Sequence, residues 1–351
     1  MTMNAIMKST LYEFLRLAGI YSFARQKRKH EALILTYHGV LSNGQDTYVN
    51  RNCVSARMFE NQLRWLKQNY QILPLSDIVE SLEKKRKLPP FTAAITFDDG
   101  FRNNYTVAFP ILVRYNVTAT VFLTTDFIGK KNARLWTEHV DALIFSATVR
   151  RIQVQMNGSY MEFDISTPEG KIRASDRIRG FLKALNPAER QRRILALERQ
   201  IDRKIEYMDD DEERERYEFL TWDDIRTMAQ YGIEFGSHTR THQIVAHLSP
   251  AELEDELINS RQKIETELGR PCTLFSYPNG TQKDFTKRDQ NFLKESGYRA
   301  AFSQIYGFNA PGVVDLFALR RINIVRSEHF SFFLAKISGI WGEMRKKIKM
   351  D

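Results

Sequence analysis

Two adjacent aspartates, Asp98 and Asp99, and two histidines four residues apart, His238 and His242, are the side chains of this chain best suited to hold and use a divalent cation. At a strand end, neighbouring side chains point to opposite sides, so one carboxylate can bind the ion while the other stays free for proton transfer. Histidines at that spacing can face one cation across a single helical turn. One aspartate plus two histidines leaves coordination positions open for water and substrate, which marks a catalytic rather than a structural site. The expected chemistry is metal-assisted hydrolysis.

Elements at fixed places must present these groups. Asp98-Asp99-Gly100 closes the apolar run Ala93-Ala94-Ile95, and His238 follows the run Ile233-Glu234-Phe235. Similar runs lie at 33–36, 118–123, 273–276, 300–302 and 321–325, and most are continuous apolar or β-branched stretches, as expected for parallel strands covered on both faces. Helical patterns separate them. Thr221 with Asp224, and Ser249-Pro250-Ala251-Glu252, are helix starts, and Gly269 is a stop. Polar motifs follow or open the first, second, fourth, fifth and seventh runs, which predicts a ring with its site at the C-terminal ends of the strands. An open doubly wound sheet is the competing architecture, and it would concentrate its site in one crevice.

The alternation breaks between about 130 and 220, which predicts an insertion between the third and fourth strands. Asn157-Gly158, between two alternating runs, signals a tight hairpin, 177–204 reads as a charged amphipathic helical stretch, and 209–216 as a solvated charge run. The reading divides the chain into an N-terminal segment 1–30, a barrel 31–326 and a C-terminal helix 327–351.

Both ends combine apolar and basic residues. Thr10 with Glu13 reads as a capping box opening a short helix that carries Leu11, Phe14, Leu15, Ala18 and Tyr21, followed by Arg25, Lys27, Arg28 and Lys29. Phe330, Phe332, Phe333, Ile337, Ile340 and Trp341 precede Arg345, Lys346, Lys347 and Lys349. That composition suits an interfacial membrane helix at each end, or two ends packed on the domain. Glu13 and Arg16 interrupt any secretory apolar region, and Cys53 and Cys272 lack metal-ligand spacing. The expectation is a cytoplasmic protein with free thiols, peripheral at the inner membrane face. The formal charge of +9 comes without a nucleic-acid motif, so an anionic membrane or a phosphate-bearing glycolipid, rather than nucleic acid, is the expected partner.

Thr96-Phe97-Asp98-Asp99-Gly100 followed by His238-Thr239-Arg240-Thr241-His242 resembles the paired motifs of the polysaccharide deacetylases, the NodB-homology or carbohydrate esterase type. The resemblance spans roughly 31–326 and implies a distorted seven-stranded (β/α) barrel. It implies Asp99, His238 and His242 as ligands of one divalent ion, most often zinc, and Asp98 as general base. Phe275-Ser276-Tyr277-Pro278-Asn279-Gly280 stands where many members carry Arg-Pro-Pro-Tyr-Gly, so Ser276 replaces an arginine. The Tyr-Pro-Asn-Gly form resembles a subgroup of exopolysaccharide and glycolipid pathways. It offers Tyr277 and Asn279 as substrate or oxyanion residues, the latter through its backbone N–H. Arg321, at the position of the subgroup's Leu-Pro-Arg-Ile arginine, would orient Asp98 by a bidentate pair. His38, in Thr36-Tyr37-His38-Gly39, is the expected general acid. The family's other layout places that acid near the C-terminus, where His329 lacks the matching leucine because Arg326 stands there.

The implied activity is removal of N-acetyl groups from amino sugars in a polysaccharide or lipid-linked glycan. Deformylation of a lipid-linked amino sugar, O-acetyl ester hydrolysis, and glycan binding without catalysis are the alternatives.

Overall fold

The computed structural model describes residues 3–43, 47–201, 211–326 and 329–348, with only the backbone described for 3–9 and 346–348. Seven parallel strands form the frame: β1 (Leu33–Tyr37), β2 (Thr92–Phe97), β3 (Thr120–Leu123), β4 (Glu234–Ser237), β5 (Leu274–Ser276), β6 (Ala300–Phe302) and β7 (Ile322–Asn323). They pair in the order β6-β5-β4-β3-β2-β1-β7. The short strand Gln71–Ile72 pairs with the start of β2. Leu319, just ahead of β7, makes a parallel bridge to Phe302 of β6, so the curled sheet meets itself at one narrow seam. The result is a distorted (β/α) barrel rather than an open sheet.

Every residue of β1 and β2 is buried, which is why both read as unbroken apolar or β-branched runs. Leu33, Leu35, Tyr37, Ile95 and Phe97 belong to the largest apolar cluster, together with Phe59, Leu63 and Leu66 from the helix Ala56–Asn69. The interior near the strand ends is polar instead. Thr36, Thr96, Ser276 and Ser303 are fully buried around Arg321.

Between β3 and β4 the chain builds a cap. It comprises the helix Trp136–Ser146, the hairpin Arg151–Met156 with Ser159–Asp164, and the helices Pro168–Leu182, Pro187–Glu198 and Asp211–Tyr217. Asn157 (φ 50°) and Gly158 (φ 84°) make the hairpin turn with two left-handed residues, the geometry Asn-Gly tolerates. The helical stretch expected over 177–204 is helical over most of its described part, but in more than one piece. Asn186 caps a new helix whose first residue is Pro187, so two helices form, and 202–210 lie outside the described residues. Val140, Ile144, Ile152, Val154, Ile178, Leu182 and Ile194 give the cap an apolar core separate from the barrel's.

The chain ends need correction too. Thr10 caps nothing, because the helix Met3–Leu17 runs through it; a second helix, Ile20–Lys27, follows Gly19. At the other end two helices, Phe330–Ser338 and Ile340–Ile348, bend at Gly339 (φ 92°). Their apolar face is already covered: Phe333, Leu334, Ala335 and Ile337 are buried in the barrel's main cluster, and Phe332 meets Tyr12 and Trp341. Arg25 and Arg28 are structural rather than free cations. Arg25 lies over Trp65, Tyr70 and Phe91 and donates to Asn69 Oδ1, and Arg28 pairs with Glu31 and Glu343. Cys53 and Cys272 are free and buried. Among the described residues no helix is long and apolar enough to cross a membrane.

Candidate active site

A cavity of about 330 Å³ opens at the C-terminal ends of the strands, between barrel and cap. Asp98, Asp99, His238, His242, His38 and Asn279 line it from the barrel, and Glu138, Arg179 and Lys183 from the cap. Residues 140 positions apart thus meet because each follows a strand of one ring.

Asp98 is 1% exposed and fully engaged. Arg321 Nη1 and Nη2 donate to its two carboxylate oxygens at 2.8 Å each, Gln304 Nε2 donates to Oδ2 at 3.0 Å, and Ser276 Oγ lies 3.3 Å away. Arg321, 0% exposed, also donates to Ser303 O, Thr96 Oγ1 and Ser276 Oγ. Burial would raise the Asp98 carboxyl, but the Arg321 guanidinium outweighs it and holds the group below the ordinary carboxylate range.

Asp99 sits in the opposite condition. Its backbone is left-handed (φ 74°), as are those of Thr239 (φ 65°), His242 (φ 60°) and Asn279 (φ 58°), a concentration of backbone strain at one site. Asp99 Oδ1 is buried without a hydrogen bond, yet it lies 3.4 Å from His238 Nε2 and 3.3 Å from His242 Nε2. His238 Nδ1 lies 2.7 Å from Ser276 O; a carbonyl only accepts, so Nδ1 carries the proton and Nε2 presents its lone pair. The His238 lone pair is thus aimed at a carboxylate oxygen that also faces His242 Nε2, an arrangement that a cation among the three would relieve. The donor atoms of the three residues fall within 4.8 Å of one another, and the residues therefore fit a divalent ion. Without an ion, burial opposes ionisation of Asp99, and it is held well below the usual range only in so far as the imidazoles donate N–H groups to it; burial pushes His242 down.

The two histidines do not share a helical turn, which corrects the expected spacing argument. They lie on a loop after β4 with ring centroids 5.0 Å apart, and the left-handed Thr239 and His242 bring them together. Glu256, on the helix Pro250–Leu268, fixes that loop by accepting from the Arg240 and Thr241 N–H groups at 2.8 Å each and from the Thr241 hydroxyl.

His38 lines the cavity, held by Asn104 Nδ2 donating to its carbonyl, with Nδ1 buried and unpartnered. His329 sits ahead of the helix Phe330–Ser338, away from the cavity lining. Asn279 faces the cavity with Nδ2 unpartnered, and Gly280 (φ 63°) follows with the Gln304 N–H 2.8 Å from where a Cβ would stand. Tyr277 is a correction. Ser276 points into the barrel, so the next side chain points out, and Tyr277 is buried against Phe285 with its hydroxyl donating to Phe317 O.

Gln304, Glu256 and Glu138 carried no sequence signal, being single polar residues outside any motif. Glu138 accepts from Thr137 Oγ1 at 2.6 Å, and burial, then the charge of Asp99, push its carboxyl up to about 7.

The sequence pattern of the polysaccharide deacetylase family matches residues 85–156 and 159–301, well over half of the chain, and the chain belongs to that family. YxkH of Bacillus subtilis (strain 168) is 22% identical over 312 residues, covering 88% of this chain and 76% of that protein. The poly-β-1,6-N-acetyl-D-glucosamine N-deacetylase of Staphylococcus aureus (strain MSSA476) is 33% identical over 116 residues, 30% of this chain and 40% of that enzyme. Among solved structures, the Streptococcus pyogenes deacetylase PplD, in complex with acetate, superposes with a TM-score of 0.56 at 17% identity, covering 88% of this chain and 98% of that one. IcaB from Ammonifex degensii gives 0.56 at 18% identity over 88% and 97%. Both likenesses establish the fold.

Proposed function

We propose that this chain is a metal-dependent amidohydrolase that removes the acetyl group from N-acetylated amino sugars of a glycan. The observation that carries the reading is the contrast between the two aspartates: one fully hydrogen-bonded and ionised, the other facing the Nε2 atoms of two imidazoles. Asp99, His238 and His242 would hold the ion, and this nitrogen-rich set on a compact site suits zinc. When bound there, such an ion supplies Lewis-acid chemistry, polarising the acyl carbonyl and lowering the pKa of water.

The chain's own groups do the rest. Asp98, kept ionised by Arg321, takes the proton of the attacking water. The Asn279 N–H faces the oxyanion that forms at the acyl carbon. His38 delivers a proton to the amine nitrogen as the C–N bond breaks, which matters because an amide leaves poorly without one. Acetate and a free sugar amine result. The reading is supported by the family membership and by the name of the Staphylococcus aureus relative, an N-deacetylase.

Acetate and formate release from N-acyl amino-sugar oligomers, measured with the metal content of the same preparation, tests it. Acetate release that follows metal content is expected; formate release alone would make the chain a deformylase, and neither product would remove the hydrolytic reading.

Leu11, Phe14, Leu17 and Phe23, all on the two N-terminal helices, are exposed, and Lys27 lies over the Phe23 ring. We propose that this face seats the protein on an anionic lipid surface, which suits a membrane-linked glycan substrate. Phe14→Glu with Leu17→Glu is expected to abolish co-sedimentation with phosphatidylglycerol vesicles; unaltered co-sedimentation sinks the proposal.

A further inference from the structure

The cap contributes positive charge to the cavity. Arg51 enters from the segment after Tyr48–Asn50, and Arg179 and Lys183 come from the end of the helix Pro168–Leu182. Two of the three are neutralised in place. Arg51 Nη2 lies 2.6 Å from Asp141 Oδ2, and Arg179 reaches Asp141 Oδ1 at 3.1 Å and Asp176 Oδ1 at 3.0 Å. Asp141 is buried and also accepts from Ser175, so its capacity is spent.

Lys183 is different. Among the described residues no hydrogen bond or ion pair engages its ammonium, although the side chain lines the cavity and is half-buried. Its place at a helix C-terminus would permit capping of the last carbonyls, yet only its backbone N–H bonds there, to Arg179 O and Phe181 O. Burial lowers its pKa, and the charges of Arg179 and Arg51 push the same way. A partly desolvated ammonium flanked by two guanidiniums, with the Asp284 and Glu138 carboxyls opposing the shift but neither pairing with it, is an unfavourable arrangement for the free protein. An anion in the cavity would relieve it. The neighbouring carboxyls are committed elsewhere: Asp98 to Arg321, Asp99 to the two imidazoles, Asp284 to the Thr281 N–H and hydroxyl, and Glu138 to Thr137 Oγ1.

We propose that Lys183, flanked by Arg51 and Arg179, forms an anion subsite in the catalytic cavity, and that the substrate is a glycan bearing a phosphate ester or a carboxylate on or next to the N-acylated sugar. This rests on the amide-hydrolysis reading and narrows it: a neutral N-acetylglucosamine polymer lacks the group that the cap is built to meet. Phosphate and carboxylate share the anionic oxygens that an ammonium recognises.

The test uses the full chain loaded with Zn²⁺, at about 0.1 M salt, where surface charge effects are screened beyond about 10 Å. Binding is measured by calorimetry for N-acetylglucosamine and N-acetylglucosamine 1-phosphate. Acetate release is measured for four matched N-acetylglucosamine disaccharides: neutral, reducing-end phosphomonoester, alkyl phosphodiester and uronate-bearing. The anionic compounds are expected to bind about tenfold more tightly than the neutral ones, the scale of one charge-assisted hydrogen bond. In Lys183→Gln that ratio should collapse towards one, and Lys183→Arg should restore it. The arm with the lowest KM identifies the anion: the alkyl phosphodiester would indicate a lipid-linked sugar, the uronate an acidic polysaccharide. Equal binding of neutral and anionic compounds, or a preference that survives Lys183→Gln, overturns the proposal even if acetate is released. Anion preference lost in Lys183→Gln, but without acyl release from any compound, keeps the subsite and removes the hydrolytic reading.

Discussion

The barrel rim and the cap build the two walls of one cavity by different means. On the rim, each reacting group follows a strand end, and the ladder beneath it sets its position: Asp98 N–H donates to Tyr37 O, and His238 N–H to Leu123 O. On the cap, the cavity-facing groups sit on helices with their own apolar core, and the ion pairs Arg51–Asp141 and Arg179–Asp141 tie them together. The rim's buried polar atoms are either fully satisfied, as at Asp98, or left open in a matched set, as at Asp99 and His242. The difference teaches that the rim fixes its groups through the ladder beneath them, whereas the cap fixes its own through ion pairs between helices. Rim geometry needs the rigidity of a closed sheet, whereas a cap can change its charges without moving the ring.

Breaking the rim should therefore cost more than altering the cap. His238→Ala or His242→Ala is expected to lose the bound ion and activity by roughly a thousandfold or more, because two remaining ligands hold a divalent ion poorly. Metal stoichiometry after dialysis checks this, and full retention in both variants removes the site as drawn. Arg321→Met leaves the Asp98 carboxylate buried without its counter-ion, so a loss of about 3–5 kcal/mol in unfolding free energy is expected from denaturant titration. A variant as stable as the parent would mean that Asp98 takes up a proton, and its pH–rate profile would then shift upward. Asp98→Asn should keep the metal and lower turnover about a hundredfold, the usual scale for a general base. Asp99→Asn should instead weaken metal binding, and the reverse pattern would exchange the two roles.

The smallest effect belongs to the cap. Glu138 has a folded pKa raised from 4.5 to about 7, chiefly by burial. The unfolded chain therefore loses this proton first as pH rises, so the stability it contributes is present below 4.5 and is lost on passing through about 7. Glu138→Gln should flatten that loss, with a gain on the order of 1–2 kcal/mol at pH 8 after discounting for water in the cavity. Thermal unfolding of the metal-free protein at pH 5 and pH 8 reads it, and parallel curves for both proteins would show that Glu138 does not titrate in this window.

The linear chain by itself determined the strands, the order of the motifs and the three residues, Asp99, His238 and His242, that the fold then brings together. Strands buried on both faces must be apolar throughout, and the groups that end them must be polar, so both features are written locally in runs such as Ala93–Gly100. The partners of Asp98 were only partly legible: Arg321 could be placed from its motif, whereas Gln304 and Ser276 became partners only once the ring brought β5 and β6 beside β2. Tyr277 looked like a site residue because its neighbours are, and strand alternation turned it into the core. The histidine pair had the right spacing for a helix but is held by a strained loop, stapled from a distant helix by Glu256. The Lys183 ammonium, without a direct ion pair among the described residues, was invisible among 52 basic residues, because pairing is a property of three-dimensional neighbours and not of sequence. Local chemistry is set by residue type and period; which charges are answered and which are left waiting is decided only by closing the ring and placing the cap on it.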